Sequence, residues 1–498
     1  MKQPLVFKEY LDKVCGCVQE RSLWATLRDE LQDHLELSSA RLLQQGVPLE
    51  EAQRRAVQQL GDPLVLGKEL ASSYRPSHDW RCWGLLLCSV GLGLLLAFYG
   101  VRRAAPAFEG MIPRPSPSLR VFVSNGIACV LDLLLSFALS HINYAHVLRH
   151  AGGLAAALGC LMGCGAFLYC FSQGRGDTFA LWYAAVALFV LDILAFQIRA
   201  FKMKVCFFVA GAFVIACVGA LWSPNLSAFL VFSLGLVASA ALLPLPAAPE
   251  KRGPSVRMRL VLTVFTLCLL LLGGAAPYRQ ELALALSPDE KAGYWSSQYD
   301  NLLVGELLSH VRALGEAELS DDEYARLIEQ KYAAPELRAA VEDEALLGAV
   351  VKSYEEELQG LLDSFEWRRI EFLMPARYVP DYLLTYIALK TGALPALGVS
   401  AVFLALYVLL FCRSLRCKNP LARLLSCSFT LLLLGQIVIY FLANLGLRLD
   451  LPLSLPLLYA GRWTSLTNLF EFAVVMSCFR FDLAVREEFY CQKRKNAC

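Results

Sequence analysis

The chain has 498 residues, of which 57% are hydrophobic and only 18% charged, with a net charge of +2. Its apolar residues are gathered into runs of about 20, the length that crosses a bilayer, so the expected fold is all-α and polytopic in a membrane. Charge is partitioned by region rather than spread as a basic patch, and nothing points to nucleic acid.

Met1-Lys2-Gln3-Pro4 continues into amphipathic sequence with no apolar core and no cleavage site, so no signal peptide is expected and insertion uses the internal spans. The 17 cysteines fall in the first helices, in hydrophobic runs or near the expected cytoplasmic ends, and none lies between Pro277 and Asp381. Without zinc spacing around Cys15 and Cys17, they read as buried or reduced thiols.

Residues 1–78 read as a soluble helical domain. Leu27, Leu31, Leu35 and Leu42 recur at helical spacing until Gly46 breaks the pattern. Pro48 at a first helical position, with Glu50 and Glu51 in the first turn, opens the next helix, and Gly61 closes it before Asp62-Pro63.

Ten hydrophobic segments follow, centred near residues 91, 130, 160, 187, 212, 236, 267, 403, 433 and 471. An even number returns both termini to one side. The loops with Arg199, Lys202 and Lys204, with Lys251, Arg252, Arg257 and Arg259, and with Arg413, Arg416, Lys418 and Arg423 all fall on that side, which the positive-inside rule makes cytoplasmic. Residues 79–277 thus hold spans 1–7, 278–380 a large extracytoplasmic loop, and 381–498 spans 8–10 with a short cytoplasmic tail. Pro277 to Pro380 carries 10 Lys and Arg against 21 Asp and Glu. It reads as helices, with capping boxes at Ser287-Pro288-Asp289-Glu290 and Ser320-Asp321-Asp322-Glu323.

No Walker phosphate loop, Gly-x-Ser-x-Gly elbow or His-Glu-x-x-His is present, so ATP hydrolysis, serine hydrolysis and zinc proteolysis have no basis in this chain. His141, His146 and His150 read as a group at a membrane edge. Asp132, Asp192 and Glu471 interrupt apolar runs, and structural pairing is the simpler reading of each. Asp381 stands where the acidic loop ends and the next hydrophobic run begins. An acid at that depth faces a cavity or a partner, or simply stays wet at the interface.

Two resemblances add to this reading. Glu30, Asp33-His34-Leu35-Glu36, Gly46, Glu51-Ala52, Ala56 and Leu60-Gly61-Asp62-Pro63 resemble the permease prefix domain, a helical module found ahead of bacterial membrane proteins. At the other end, Gln436, Asn444-Leu445-Gly446, Pro456 and Asn468-Leu469 resemble the closing signature of the SEDS family, the glycosyltransferases of RodA and FtsW type. Ser223 to Ala228, Pro277-Tyr278-Arg279, Pro288, Gly293-Tyr294 with Gln298, and Asp381-Tyr382 with Gly392 resemble further elements in the family's order. The family's Pro-Ser-Glu-x-x-Lys element is reduced to Gln173-Gly174-Arg175-Gly176-Asp177, with Asp177 in place of the glutamate and no lysine. Acidic helices replace its glycine-rich loop.

The resemblance implies polymerisation of lipid II, the lipid-linked peptidoglycan precursor, in the bacterial inner membrane beside a class B penicillin-binding protein. It makes Asp381 the general base. Arg279, Arg377, Arg462, Asp177, Gln436, Asn444 and Asn468 are then candidate substrate-binding residues, Arg462 as a replacement for the missing lysine. A divalent cation, Mg or Mn, is the one cofactor it leaves open. A non-catalytic scaffold, a lipid-precursor carrier and a transporter permease subunit remain as alternatives.

Overall fold

A computed structural model describes residues 5–18, 24–73, 78–108, 119–142, parts of 185–192, 226–242, 298–332, 370–375, 381–447, parts of 453–456, and 462–482. Every regular element among them is a helix. The expected segments near 160, 212 and 267, the box at Ser287 and the histidines at 146 and 150 lie outside the described residues.

Four short helices come first: α1 (Leu5–Cys17), α2 (Trp24–Gln44), α3 (Leu49–Leu60) and α4 (Pro63–Ser73). They close around Phe7, Tyr10, Leu11, Val14, Leu35 and Ala56, the apolar stripes of otherwise polar helices. Pro48 is the residue just before α3 rather than its first helical residue, and Gly61 ends α3 at φ 87°. Asp62-Pro63 also begins α4, since the Asp62 carboxylate accepts from Leu64 N at 2.8 Å.

The helices of the main bundle are α5 (Trp80–Phe108), α6 (Leu119–Leu139), α7 (Leu226–Leu242), α12 (Ala393–Leu415), α13 (Pro420–Asn444) and α14 (Arg462–Phe481). Between α7 and α12 lie α8 (Gln298–Leu308), α9 (Asp321–Tyr332), α10 (Ile370–Leu373) and α11 (Leu383–Thr391). Trp80–Val101, Phe122–Leu139, Ala393–Leu415 and Pro420–Asn444 are long and apolar enough to cross a membrane, so the protein is polytopic. On α12, Ala396, Phe403, Leu406, Tyr407 and Leu410 are buried while Leu394, Leu397, Val402 and Leu409 stay exposed, which divides a bundle face from a lipid face.

The central helix is α13. It packs on α7, α12 and α14, and Gly435 lets α7 come close, because a Cβ there would stand 3.2 Å from Leu234 Cδ2. Ser414 and Thr430 hydroxyls, 3.1 Å apart, tie α12 to α13. At one end of the bundle Arg413 Nε meets Asp79 at 3.0 Å, Asn419 N donates to Asp482 at 2.9 Å, and His78 meets His141. The start of α5 and the end of α14 therefore lie on the same side, and Asp381 lies at the other.

The apolar run that begins at Asp381 is not one helix. It divides at Gly392 into α11, about 14 Å long at 1.5 Å per residue, and the spanning α12. The cause lies in the acidic segment. Ala393 N and Leu394 N donate to Arg312 O and Ala313 O, while Gly315 N and Ala317 N donate to Thr391 O and Leu389 O. Gly392 has φ 103°, and a Cβ there would stand 2.6 Å from both Ala313 O and Leu314 Cα. Gly392→Ala should release residues 312–317 from α11 at a cost of about 1–3 kcal/mol, read as faster amide exchange at Gly315 and Ala317.

The Ser320 capping box forms as expected. Glu323 N donates to Ser320 Oγ at 3.3 Å, and Ser320 N donates back to Glu323 Oε2 at 2.9 Å. Those bonds from Ser320, aided by His310, hold the Glu323 carboxyl at about 2 against its usual 4.5. A lowered carboxyl stabilises the fold above 4.5 and loses that contribution as the pH falls through 2. Protection of α9 from amide exchange, corrected for intrinsic rate, should therefore hold from pH 7 to 5 and fall between 4.5 and 2.

Candidate functional site

Asp381 lies just ahead of α11 and is 6% exposed. No local side chain caps that helix; Asn444, at the end of α13, does so from 59 residues away. Its Oδ1 accepts from Thr385 N at 3.0 Å, satisfying the third amide of α11, and lies 3.1 Å from Thr385 Oγ1. Its Nδ2 donates to Asp381 O at 3.0 Å and to Tyr440 O at 2.9 Å. The Thr385 hydroxyl also reaches Asn444 O at 3.0 Å. One carboxamide thus joins the end of α13 to the residue expected to act as base. Its donors and acceptors are occupied by backbone and Thr385, which makes it a positioning residue rather than a substrate contact.

Gly446, at φ 70°, turns the chain after Asn444, and Gly305 of α8 crosses there, a Cβ on it standing 3.8 Å from Gly446 O.

A second acid lies against α11. Glu371, in α10, is 1% exposed; Tyr386 OH donates to its Oε1 at 2.9 Å, and Lys390 Nζ lies 3.5 Å from the same oxygen. Lys390 also reaches Glu316 Oε1 at 2.5 Å. Tyr386 and Lys390 are four residues apart and share one face of α11. That face binds the acidic segment, while the start of the helix is bound by Asn444. A buried pair of this kind is weak evidence for net stability and strong evidence for a fixed arrangement, since removing either partner strands the other. Sequence reasoning missed Glu371 and Lys390, although Lys390 is the only cation in the run from Asp381 to Cys412.

The remaining expected residues are not gathered at Asp381. Gln436 lies eight residues before Asn444, about 12 Å along α13. It is fully buried, with neither carboxamide atom partnered among the described residues. Asn468 of α14 is in the same condition, and so are both carboxylate oxygens of Glu471 one turn on. Among the described residues Asp192 is paired, accepting from Ser428 Oγ, and Glu471 has no partner. Buried polar atoms without partners mark positions where a ligand or water has hydrogen bonds to gain. Arg462 begins α14, and its side chain is outside the described set, as are Arg279, Arg377 and Asp177 altogether. Among the described residues no three His, Cys, Asp or Glu side chains come together as metal ligands.

No family model matches the chain, and no curated protein matches it. Solved structures do. A chain of a peptidoglycan synthase complex, solved for its coordination of polymerization and crosslinking, aligns at TM-score 0.49 and 16% identity over 81% of this chain and 98% of its own. The rod shape determining protein RodA of Thermus thermophilus aligns at 0.42 and 15% over 81% and 97%, and a variant of it at 0.42 and 15% over 81% and 98%. At these identities and TM-scores the likeness establishes no activity; the chain is similar over most of its length to RodA and to a chain of a peptidoglycan synthase complex.

Proposed function

We propose that the chain is a SEDS-type membrane glycosyltransferase of bacterial cell-wall synthesis, polymerising lipid II with Asp381 as general base. One observation carries the reading. Two elements of the SEDS resemblance, Asp381 and Asn444-Leu445-Gly446, are hydrogen-bonded to each other through the Asn444 carboxamide. Two motifs 63 residues apart in the sequence thus meet in the fold, which supports the reading.

In this mechanism an acceptor sugar hydroxyl attacks the anomeric carbon of the donor. The new C–O bond forms as the bond to the lipid diphosphate breaks; the hydroxyl proton passes to the Asp381 carboxylate and the diphosphate leaves as an anion. The backbone clamp at Asn444 and the Glu371–Lys390 pair hold α11 at its two ends, so that the base meets the acceptor at fixed height. Charge on the leaving diphosphate needs cationic donors, for which Arg279, Arg377 and Arg462 are the candidates. The protein would lie in the inner membrane with both termini cytoplasmic and work beside a class B penicillin-binding protein.

Purified protein, alone and with the cognate class B penicillin-binding protein, should convert lipid II into glycan strands. Normal lipid II binding without strands in either case would reject the reading. A non-catalytic scaffold or precursor carrier is the second reading, favoured by the near-complete burial of Asp381 and the loss of the Pro-Ser-Glu-x-x-Lys element. Full complementation of a deletion by Asp381→Ala would select it.

A further inference from the structure

The end of the bundle opposite Asp381 gathers a second set of charged and aromatic side chains. His78 precedes α5, His141 follows α6 and Arg480 stands in the last turn of α14. The two histidine rings have centroids 4.8 Å apart and pack on Phe137 at 5.2 and 5.0 Å. His141 Nδ1 donates to Phe137 O at 2.9 Å, and its Nε2 has no hydrogen bond among the described residues. Arg480 lies with its guanidinium 5.4 Å from the Phe481 ring, and its Nε and Nη1 are buried with no hydrogen-bond partner among the described residues.

The described acids at this end, Asp79 and Asp482, are engaged elsewhere. Asp79 pairs with Arg413 Nε at 3.0 Å, and Asp482 accepts from Asn419 N at 2.9 Å. Among the described residues Arg480 is therefore a cation whose buried donor edge meets no acceptor, and it has hydrogen bonds to gain from a ligand. Ser477 Oγ donates to Ile142 O at 2.6 Å, which brings the last turns of α14 beside His141; burial first, then the charges of Arg480 and His141, push the His78 pKa down. Trp80, next to His78 in space with centroids 5.3 Å apart, is 67% exposed, which suits an indole at the boundary of hydrocarbon and head groups.

We propose that Arg480, His78 and His141 form a binding site for a phosphate group at the head-group level of this end of the bundle. Arginine supplies parallel N–H donors to phosphate oxygens, His141 adds an Nε2–H donor when its ring takes up a proton, and the aromatic floor limits competition from water. A phospholipid head group and free phosphate share this chemistry, and the two are separated by experiment.

Full-length protein in a phosphate-free maltoside detergent would be titrated with phosphatidylglycerol in one arm and with inorganic phosphate in the other, and bound species counted by native mass spectrometry. Arg480→Gln should weaken binding about five-fold, the worth of one cation beside an anionic surface, while Arg416→Gln, an exposed arginine beyond α12, should leave it unchanged. Loss in the lipid arm alone assigns a head group; loss in the phosphate arm assigns the free anion. The His78→Gln/His141→Gln double variant keeps Arg480 in place, should weaken the same arm, and carries the test if Arg480→Gln does not fold. Equal binding by wild type and these variants, or equal loss in Arg480→Gln and Arg416→Gln, would overturn the proposal.

Discussion

Asn444→Ala is expected to abolish activity without touching the reacting atoms. The substitution removes the acceptor at Thr385 N and the donor at Asp381 O and Tyr440 O, all in a buried setting. At about 1 kcal/mol net per bond and more for each buried group left unmet, the loss is on the order of 4 kcal/mol. Most of it falls on the docking of α11 rather than on the bundle, because α13 keeps its contacts with α7, α12 and α14. Amide exchange at Leu383 to Ile387 should accelerate while α13 stays protected. Asn444→Asp keeps the acceptor for Thr385 N and loses the donor to Asp381 O, and should fall between the two. Wild-type protection of α11 in Asn444→Ala would mean that the carboxamide does not hold Asp381.

Asp381→Asn has the larger effect on turnover. The change is isosteric, and the Asn444 bond goes to the backbone oxygen of residue 381, so the clamp survives. What is lost is the carboxylate that takes the proton. General base catalysis contributes about 10²–10⁴-fold, and strand synthesis should fall by that factor with lipid II binding unchanged. Asp381→Glu keeps the charge but moves it by one methylene in a site that is nearly closed, and should recover only part of the rate.

Local chemistry was the legible part of this chain. The Ser320–Glu323 box, the Gly61 stop and the apolar runs near 91, 130, 403 and 433 form as their residues dictate, since each depends on neighbours within one or two turns. The division at Gly392 was hidden because hydropathy is continuous across it; the break is made by main-chain bonds from residues 312–317, some 75 positions away. Asp381 and Asn444 were found through their order and spacing, but the role of Asn444 emerges only in three dimensions, where its carboxamide is spent on α11. Glu371 carried no signal in an acidic segment of 21 carboxylates, and its partner Lys390 acquires meaning only once α10 and α11 are packed together.

The central claim is that Asp381 is the base of a polymerising site. Lipid II polymerisation by wild type and Asp381→Asn, assayed side by side with the cognate class B penicillin-binding protein at matched lipid II binding, tests it most directly. Glycan strands from the wild type and essentially none from the variant are the predicted result. Strands from both at equal rate would contradict it.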